Sequence, residues 1–369
     1  MIYLDNGATS FFKPECVKRG MCWALERCAN PGRGGYSAAM EATRQVFACR
    51  ERASRMFGCE PQQVVFTNNC THGLNIAIHT LVKPGSRVVI SGFEHNAVTR
   101  PLYARNAKLQ IAGRKLFDWE DTLSHFEDAL KKGADAAVFT HVSTVFGYIF
   151  PGEEMAALCK QWGVPFILDA AQSAGNIPIS LKNLGADFIA MPGHKGLLGP
   201  QGTGLLLCGR DGTPLLFGGT GNQSMLQTMP EDLPERLEAG TLNVPGIAGL
   251  AAGLSYLEGV SVETIGRRER IQAEKCGKIL QKLKFRVFTG PHQAGTVSFV
   301  PGEDCETFAQ QMGRRGIALR AGLHCAPLAH ESAGTLSTGT VRVSFGHDAS
   351  NAQMDRFVRA VTKDCAGKN

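Results

Sequence analysis

The feature that most constrains the fold is a series of short apolar runs between residues 60 and 210, which alternates with longer helical patterns. Six runs of Val, Ile, Leu and Phe, each bounded by Gly, Pro, Asp or Ser, predict strands: Val64–Thr67, Arg87–Ser91, Ala136–Thr140, Pro165–Asp169, Asp187–Met191 and Gly204–Cys208. Helices are predicted between them, for example over Gly73–Val82 and Glu153–Trp162. This order predicts an α/β fold with a mainly parallel sheet and helices on both faces.

A second pattern begins near Pro245, where the sequence becomes helical as far as about Leu283. After it the sequence predicts a strand, a helix, a strand and a helix, over Thr296–Val300, Glu306–Arg314, Val341–Phe345 and Ala352–Val361. We therefore predict a large domain of residues 15–250 and a smaller α/β domain made of residues 1–14 and 251–369. The 369 residues are enough for two such units.

The composition argues against several classes of protein. Hydrophobic residues are 43% and charged residues 20% of the chain, as in a soluble globular protein. The net charge of +6 is spread out, and no apolar run is long enough to cross a bilayer, so we expect neither nucleic acid nor membrane as a partner. No two of the twelve cysteines have C-x-x-C spacing, and the start lacks the pattern of a signal peptide. We expect free thiols in the cytoplasm and no metal site.

Polar residues stand directly after several predicted strands, where open α/β sheets bind their ligands. Lys195 follows one strand in a glycine-rich turn, where partial desolvation would lower its pKa and make its amine nucleophilic. Asp169 ends the preceding strand and could pair with the protonated nitrogen of a pyridine ring. Alone, each residue is more readily a surface lysine or a strand-end aspartate, but together their spacing and context favour chemistry.

Two more residues of this edge have a chemical and a plain interpretation. His95 could stack on a flat cofactor ring and relay protons, or it could be a hydrogen-bonded surface group. Thr71 precedes a predicted helix, whose free N–H groups suit a phosphate, but it could equally be an N-cap.

The C-terminal part adds two candidates of the same kind. Cys325 is in a loop beside His324 and near Arg320, which could lower its thiol pKa, although a buried inert thiol is an alternative. Arg342 interrupts an apolar strand pattern and could hold a carboxylate, or it could be a surface residue of an edge strand.

In their order along the chain, these motifs resemble the class V aminotransferase-like enzymes, which use pyridoxal 5'-phosphate (PLP) and have the fold of type I PLP-dependent transferases. Within them the sequence is similar to the group II branch of cysteine desulfurases and selenocysteine lyases. The matching segments extend nearly from end to end: Tyr3–Thr9 (YLDNGAT), Glu94–His95, Asp169–Gln172 (DAAQ), Gly193–Lys195 (GHK), Gly199–Gly204 (GPQGTG), Glu238–Asn243 (EAGTLN) and Arg320–Cys325 (RAGLHC).

The resemblance implies a role for each matched residue. Lys195 would hold the cofactor as a Schiff base, Cys325 would carry a persulfide, and His95 would stack on the ring and relay protons. Thr241 would contact the cofactor phosphate of a neighbouring subunit, which implies a homodimer with shared sites. The PLP ligands would be Lys195, Asp169, Gln172, His95, Thr71, Cys70, His194, Thr144 and Thr241. The substrate would contact Arg342, Arg320, Ala8 and Asn6.

The implied reaction converts L-cysteine to L-alanine and passes sulfur from Cys325 to an acceptor protein or a small thiol, for uses such as iron–sulfur cluster assembly. One alternative is a selenocysteine lyase, acting on L-selenocysteine, or another PLP-dependent C–S lyase. Cys325 argues against a lyase that forms no persulfide. The other alternative is a low-turnover sulfur carrier or scaffold, and the joint presence of Lys195, Asp169, His95, Arg342 and Cys325 argues against it.

The sequence departs from the family pattern at the expected cofactor site. Pro192 occupies a position usually held by Ser, and Thr144 occupies a position where Asn normally faces the ring. Residues 70–72 are Cys-Thr-His in place of the usual Thr-Thr-Glu. Because proline offers a phosphate neither a hydroxyl nor an N–H, we expect other residues to take over that contact.

Overall fold

A computed structural model describes residues 1–32 and 34–366, and only the backbone of 363–366. Its strands are β1 (Ile2–Tyr3), β2 (Val64–Thr67), β3 (Arg87–Ser91), β4 (Lys108–Ala112), β5 (Ala136–Thr140), β6 (Phe166–Asp169), β7 (Phe188–Pro192), β8 (Gly204–Cys208), β9 (Arg286–Phe288), β10 (Thr296–Val300), β11 (Ile317–Ala318), β12 (Arg320–Gly322) and β13 (Thr340–Ser344). Its α-helices are α1 (Glu15–Arg27), α2 (Ser37–Phe57), α3 (Cys70–Leu81), α4 (Asn96–Ala104), α5 (Trp119–Lys131), α6 (Gly152–Trp162), α7 (Leu181–Leu184), α8 (Val244–Val260), α9 (Val262–Lys282), α10 (Cys305–Arg314), α11 (Pro327–Ala333) and α12 (Asn351–Ala366).

The central sheet has seven strands in the spatial order β2-β8-β7-β6-β5-β3-β4. The pairs among β7, β6, β5, β3 and β4 are parallel, and β8 runs antiparallel to both of its neighbours. The predicted mainly parallel sheet is confirmed, and all six predicted strands are present. Sequence reasoning missed β4 at the sheet edge, because Lys108 and Gln110 interrupt its apolar pattern and it is only partly buried.

Apolar side chains cover both faces of this sheet. Successive residues of the inner strands, such as Val88 and Val89, belong to two different core clusters. Helices α3 and α4 supply one cluster, and α2, α5, α6 and α8 supply the other. Burial on both faces explains why these strands are continuous apolar runs rather than alternating ones.

The C-terminal part has its own antiparallel sheet, in the order β12-β13-β10-β9. Helices α9, α10 and α12 pack on it, and Ile2 and Leu4 of the N-terminal segment join the same apolar cluster. The predicted division at residue 250 falls inside α8, whose Leu250, Leu254 and Leu257 pack in the core of the large sheet. The domain bounds stay a prediction.

Two further findings bear on the predictions from composition. Within the described part of the chain, no helix is long and apolar enough to cross a membrane. The eleven cysteines whose side chains are described are all free thiols, and Cys365 lies outside them.

Candidate active site

A cavity of about 200 Å³ lies at the carboxyl ends of the parallel strands. The strand-end rule predicts a ligand site at this position. The cavity brings together eight of the residues predicted as cofactor ligands, together with Pro192: Cys70, Thr71, His95, Thr144, Asp169, Gln172, His194 and Lys195.

Lys195 lies in the loop that joins β7 to the antiparallel β8. The base of this loop is closed by a hydrogen bond from Gly193 N to Thr203 O (2.8 Å), and Lys195 O accepts from Leu198 N (2.9 Å). The next residue, Gly196, has to be a glycine, because a Cβ at that position would lie 2.2 Å from the carbonyl oxygen of Ala174. Burial lowers the pKa of Lys195 to about 8, so the amine is far easier to deprotonate near physiological pH than an ordinary lysine.

Asp169 is the last residue of β6 and is almost completely buried. Its Oδ1 accepts hydrogen bonds from Ala171 N (2.9 Å) and from Cys70 Sγ (3.4 Å). Its Oδ2 accepts none from the described side chains and backbone. Burial raises the pKa of Asp169 above its ordinary value, although the Lys195 ammonium and the Ala171 N–H oppose the shift. A buried carboxylate with a free oxygen on a cavity suits a cationic N–H donor.

His95 caps the N-terminus of α4, and this bond fixes the tautomer of its ring. Nδ1 accepts from Ala97 N (3.0 Å), so in the neutral ring the proton is on Nε2. Burial, followed by the nearby Lys195 and three arginines, lowers the pKa of His95 to about 4. The imidazole is therefore neutral at pH 7.

Glu94 anchors the turn that leads to His95, a role that sequence reasoning missed. Both of its carboxylate oxygens accept from Thr140 N of β5, and Oε1 also accepts from the backbone and hydroxyl of Ser91. Burial raises the pKa of Glu94 to about 8. The side chain thus ties the turn after β3 to the neighbouring strand β5.

The start of α3 differs from the prediction. The helix begins at Cys70, three residues earlier than expected, and Asn69 is its N-cap because its side chain accepts from His72 N (2.9 Å). Thr71 as an N-cap is therefore wrong. Thr71 lies instead in the first helical turn and lines the cavity, where the helix N-terminus favours an anion. His194 lines the same cavity, and its Nδ1 lies 3.0 Å from Thr9 Oγ1.

A hydrogen-bond network connects Gln172, Thr144 and Arg342. Gln172 Nε2 donates to Thr144 Oγ1 (2.8 Å) and to Gly7 O (3.0 Å). Arg342 Nη1 donates to the carbonyl and hydroxyl oxygens of Thr144 at 3.0 and 3.2 Å, and Nη2 donates to Asp5 Oδ1 at 2.7 Å. The Nε of Arg342 is buried and has no hydrogen-bond partner among the residues that the structure describes.

Arg342 is only 1% exposed, on an inner strand between β12 and β10. The alternative of a surface arginine on an edge strand is therefore wrong. Burial lowers the pKa of Arg342, and Asp5 opposes that shift. Asn6 lies close by and lines a second cavity of about 30 Å³ that also reaches Lys195. Ala8 donates its N–H to Asp5 O in the same turn, and neither Ala8 nor Arg342 lines the two cavities.

Cys325 is exposed, so the alternative of a buried inert thiol is wrong. It lines a surface groove of about 420 Å³ together with His95 and Thr71. These two residues also line the cavity of Lys195 and Asp169. Arg320 Nη2 lies 4.0 Å from the sulfur.

His324 does not activate the thiol as the sequence suggested. Its Nε2 lies 3.1 Å from Thr340 O and 3.2 Å from Thr340 Oγ1, and burial lowers its pKa to about 2. The ring is therefore uncharged and connects the cysteine loop to β13. Both His324 and Cys325 have positive φ, at 50° and 57°, which L-residues seldom adopt.

Thr241 is not brought to the cavity of its own chain. It is exposed, on the long segment between β8 and α8. Glu238 holds this segment in place: its carboxylate makes two hydrogen bonds of 2.9 Å with Arg50 and accepts from Phe66 N at 2.6 Å. Sequence reasoning quoted Glu238 in a motif but gave it no role.

A family model for aminotransferase class-V matches residues 2–357. A probable cysteine desulfurase of Pyrococcus abyssi is 32% identical over 97% of this chain and 92% of the relative. A cysteine desulfurase of Haloferax volcanii is 28% identical over 98% of this chain and 88% of the relative. The apo structure of cysteine desulfurase from Thermococcus onnurineus NA1 has a TM-score of 0.91 and 32% identity, covering 99% of this chain and 95% of the other.

Proposed function

This chain belongs to the aminotransferase class-V family, and on that premise we propose that it is a PLP-dependent cysteine desulfurase. It converts L-cysteine to L-alanine and holds the sulfur as a persulfide on Cys325. One observation carries this proposal. His95 lines both the cavity of Lys195 and Asp169 and the groove of the exposed thiol of Cys325.

The donors and acceptors of the cavity fit PLP. Asp169 offers a free carboxylate oxygen to a pyridinium N–H, and Lys195 offers an amine whose lowered pKa leaves a fraction of it neutral near physiological pH. The first turn of α3, with Thr71 and His194, suits a phosphate, and Pro192 offers it no donor. When bound, PLP supplies an electron sink that stabilises negative charge at the substrate α-carbon.

The chain's own residues supply the proton transfers. The Lys195 amine, with its lowered pKa, can take the α-proton near neutral pH and return it later. His95 keeps its Nδ1 occupied by Ala97 N–H, so it acts through Nε2, which presents a proton while the ring is neutral.

Arg342 binds the substrate carboxylate through its unpartnered Nε. That group is a buried donor with no acceptor among the described residues, which is costly unless a ligand satisfies it. Since the guanidinium is covered by Gly7 and paired with Asp5, the segment from Asp5 to Ala8 has to shift when substrate enters. Asn6 and Ala8 then border the substrate.

The sulfur step takes place at Cys325, whose sulfur lies 4.0 Å from Arg320 Nη2. The thiolate attacks the substrate sulfur and forms an S–S bond. The bond from that sulfur to the β-carbon breaks, its electron pair stays with the β-carbon, and a proton added there completes L-alanine. The sum is L-cysteine plus a thiol giving L-alanine plus a persulfide.

A homodimer completes the site in this proposal. Thr241 is exposed on the same segment as Phe217 and Met225, which are 76% and 95% exposed. Large apolar side chains exposed together favour burial against a partner. We propose that a second copy of the chain covers them and receives Thr241 at its cofactor phosphate. The free thiols support a reducing compartment, the cytoplasm.

The test is an alanine and sulfide assay of the PLP-loaded protein with L-cysteine and with L-selenocysteine. Cys325→Ala should stop alanine formation from L-cysteine while the cofactor stays bound. Cys22→Ala is the matched control, since Cys22 is also an exposed free thiol but lies on α1. Unchanged alanine output from Cys325→Ala would assign the chain to the persulfide-free lyases. Lys195→Ala should abolish the visible absorbance of lysine-bound PLP, and a colourless wild-type protein after reconstitution would contradict the proposal.

A further inference from the structure

The groove at Cys325 contains a positive charge that the proposed reaction does not use. Arg100, on α4, lines this groove and is exposed. It lies near enough to His95 to help lower the pKa of that imidazole. Among the described residues Arg100 forms no salt bridge, and no carboxylate lines the groove.

Arg100 is also placed outside the two anion sites of the reaction. It does not line the cavity in which Thr71 and His194 suit the cofactor phosphate. The substrate carboxylate belongs to Arg342, on the C-terminal sheet. The remaining molecule that must approach Cys325 from the solvent side is the sulfur acceptor.

We propose that this groove binds a low-molecular-weight thiol that carries a carboxylate, and that Arg100 attracts this carboxylate while the thiol faces Cys325. The inference rests on the proposed function and names the acceptor that completes it. A volume of about 420 Å³ is within the range of small-molecule sites, and Asn75 adds an amide to the lining of the groove.

The transfer balances without an external oxidant. The acceptor thiolate attacks the outer sulfur of the Cys325 persulfide and forms a new S–S bond. The bond between that sulfur and Sγ breaks, and Cys325 leaves as a thiolate beside Arg320. The acceptor departs as a persulfide, and the enzyme is ready for another cysteine.

The experiment uses PLP-loaded protein whose Cys325 persulfide has been formed with one equivalent of L-cysteine. Three thiols of similar length and different charge are added separately: 3-mercaptopropionate, 2-mercaptoethanol and cysteamine. Loss of the persulfide is followed by intact mass, and each rate is divided by the concentration of thiolate. We expect 3-mercaptopropionate to react about threefold faster than 2-mercaptoethanol, the Coulomb factor of one charge pair several ångströms apart in water, and cysteamine to react more slowly.

Variants and salt identify the source of the preference. Arg100→Ala should reduce the spread among the three rates, of which Arg320 near the sulfur keeps a part, and Arg100→Lys should retain the full spread. Lys108→Ala is the matched control, because Lys108 is an exposed cation at the start of β4, away from the carboxyl edge of the sheet. High salt should weaken the preference in the wild-type protein.

The outcomes separate this inference from the function on which it rests. Equal rates for the three thiols in the wild-type protein, or a preference that is unchanged in Arg100→Ala, would overturn the anionic acceptor at Arg100 while leaving the desulfurase intact. A protein that forms no persulfide from L-cysteine would instead contradict the proposed function.

Discussion

Removing the Glu238 carboxylate should destabilise the protein strongly. The side chains of Glu238 and Arg50 are 6% and 8% exposed, and two hydrogen bonds of 2.9 Å join them. Glu238→Ala leaves the Arg50 guanidinium buried, with only the carbonyl of Val64 and the ring of Phe66 as neighbours of its charge. Breaking a buried ion pair by deleting one partner costs about 3–5 kcal/mol. The lost hydrogen bond from Phe66 N adds to that cost.

The double variant provides the sharper comparison. Burial raises the pKa of Glu238 even beside Arg50. The free-energy cost of burying the carboxylate therefore offsets much of its attraction to the guanidinium. Replacing both residues by apolar ones of similar volume should therefore cost less than breaking the pair, with the lost hydrogen bond from Phe66 N as the main remaining cost. We expect Arg50→Met with Glu238→Leu to be more stable than either Arg50→Met or Glu238→Leu alone.

Urea unfolding at one fixed protomer concentration, with the same excess of PLP, measures these differences, because both ligand and dimer affect apparent stability. Size-exclusion chromatography of the folded variants then tests the proposed dimer, which Glu238→Ala should weaken through the Thr241 segment. A loss below about 1 kcal/mol for Glu238→Ala would refute the reasoning. So would a double variant as unstable as the sum of the two single changes.

Three shorter predictions address the site itself. In the cofactor-free protein, the acetylation rate of Lys195 should rise with pH around an apparent pKa of about 8, because the protonated amine is unreactive. An apparent pKa near the ordinary lysine value would disprove the desolvation. His324→Leu should free the cysteine loop and change the alkylation rate of Cys325 by iodoacetamide, and an unaltered rate would mean that the loop holds its shape without that ring. Asn69→Ala should cost about 1 kcal/mol in urea unfolding, as a lost N-cap does. Thr71→Ala should weaken PLP binding in a fluorescence titration with a smaller loss of stability, and the reverse order of these two effects would restore Thr71 as the cap.

The features that sequence reasoning reached are those set by local pattern. Apolar runs predict β2, β3, β5 and β8 with their observed bounds, since strands buried on both faces need no partner to be recognised. The strand-end rule then places Asp169, His95 and Lys195 at one edge, because the carboxyl ends of parallel strands converge.

The features that it missed depend on contacts between distant residues. Asp5 meets Arg342 across 337 positions of the chain, and Glu238 meets Arg50 across 188. No local pattern indicates which buried charge will find which partner. The N-cap of α3 is also not evident from the sequence, because Asn69 and Thr71 are both residue types that cap well and only the geometry of the turn decides between them.

The reversed strand β8 has a mechanical consequence for Lys195. Because β8 returns along β7 directly, both ends of the lysine loop are hydrogen-bonded to the same pair of sheet strands, down to the pairing of Pro192 with Gly204. A parallel strand would have required a long crossover, and the lysine would have stood on a segment fixed at one end. The backbone of the loop is thereby held in place, and the flexible part is the lysine side chain with its four methylenes. If Lys195 holds PLP as proposed, its side chain can release and rebind the cofactor in each cycle while the backbone keeps its position.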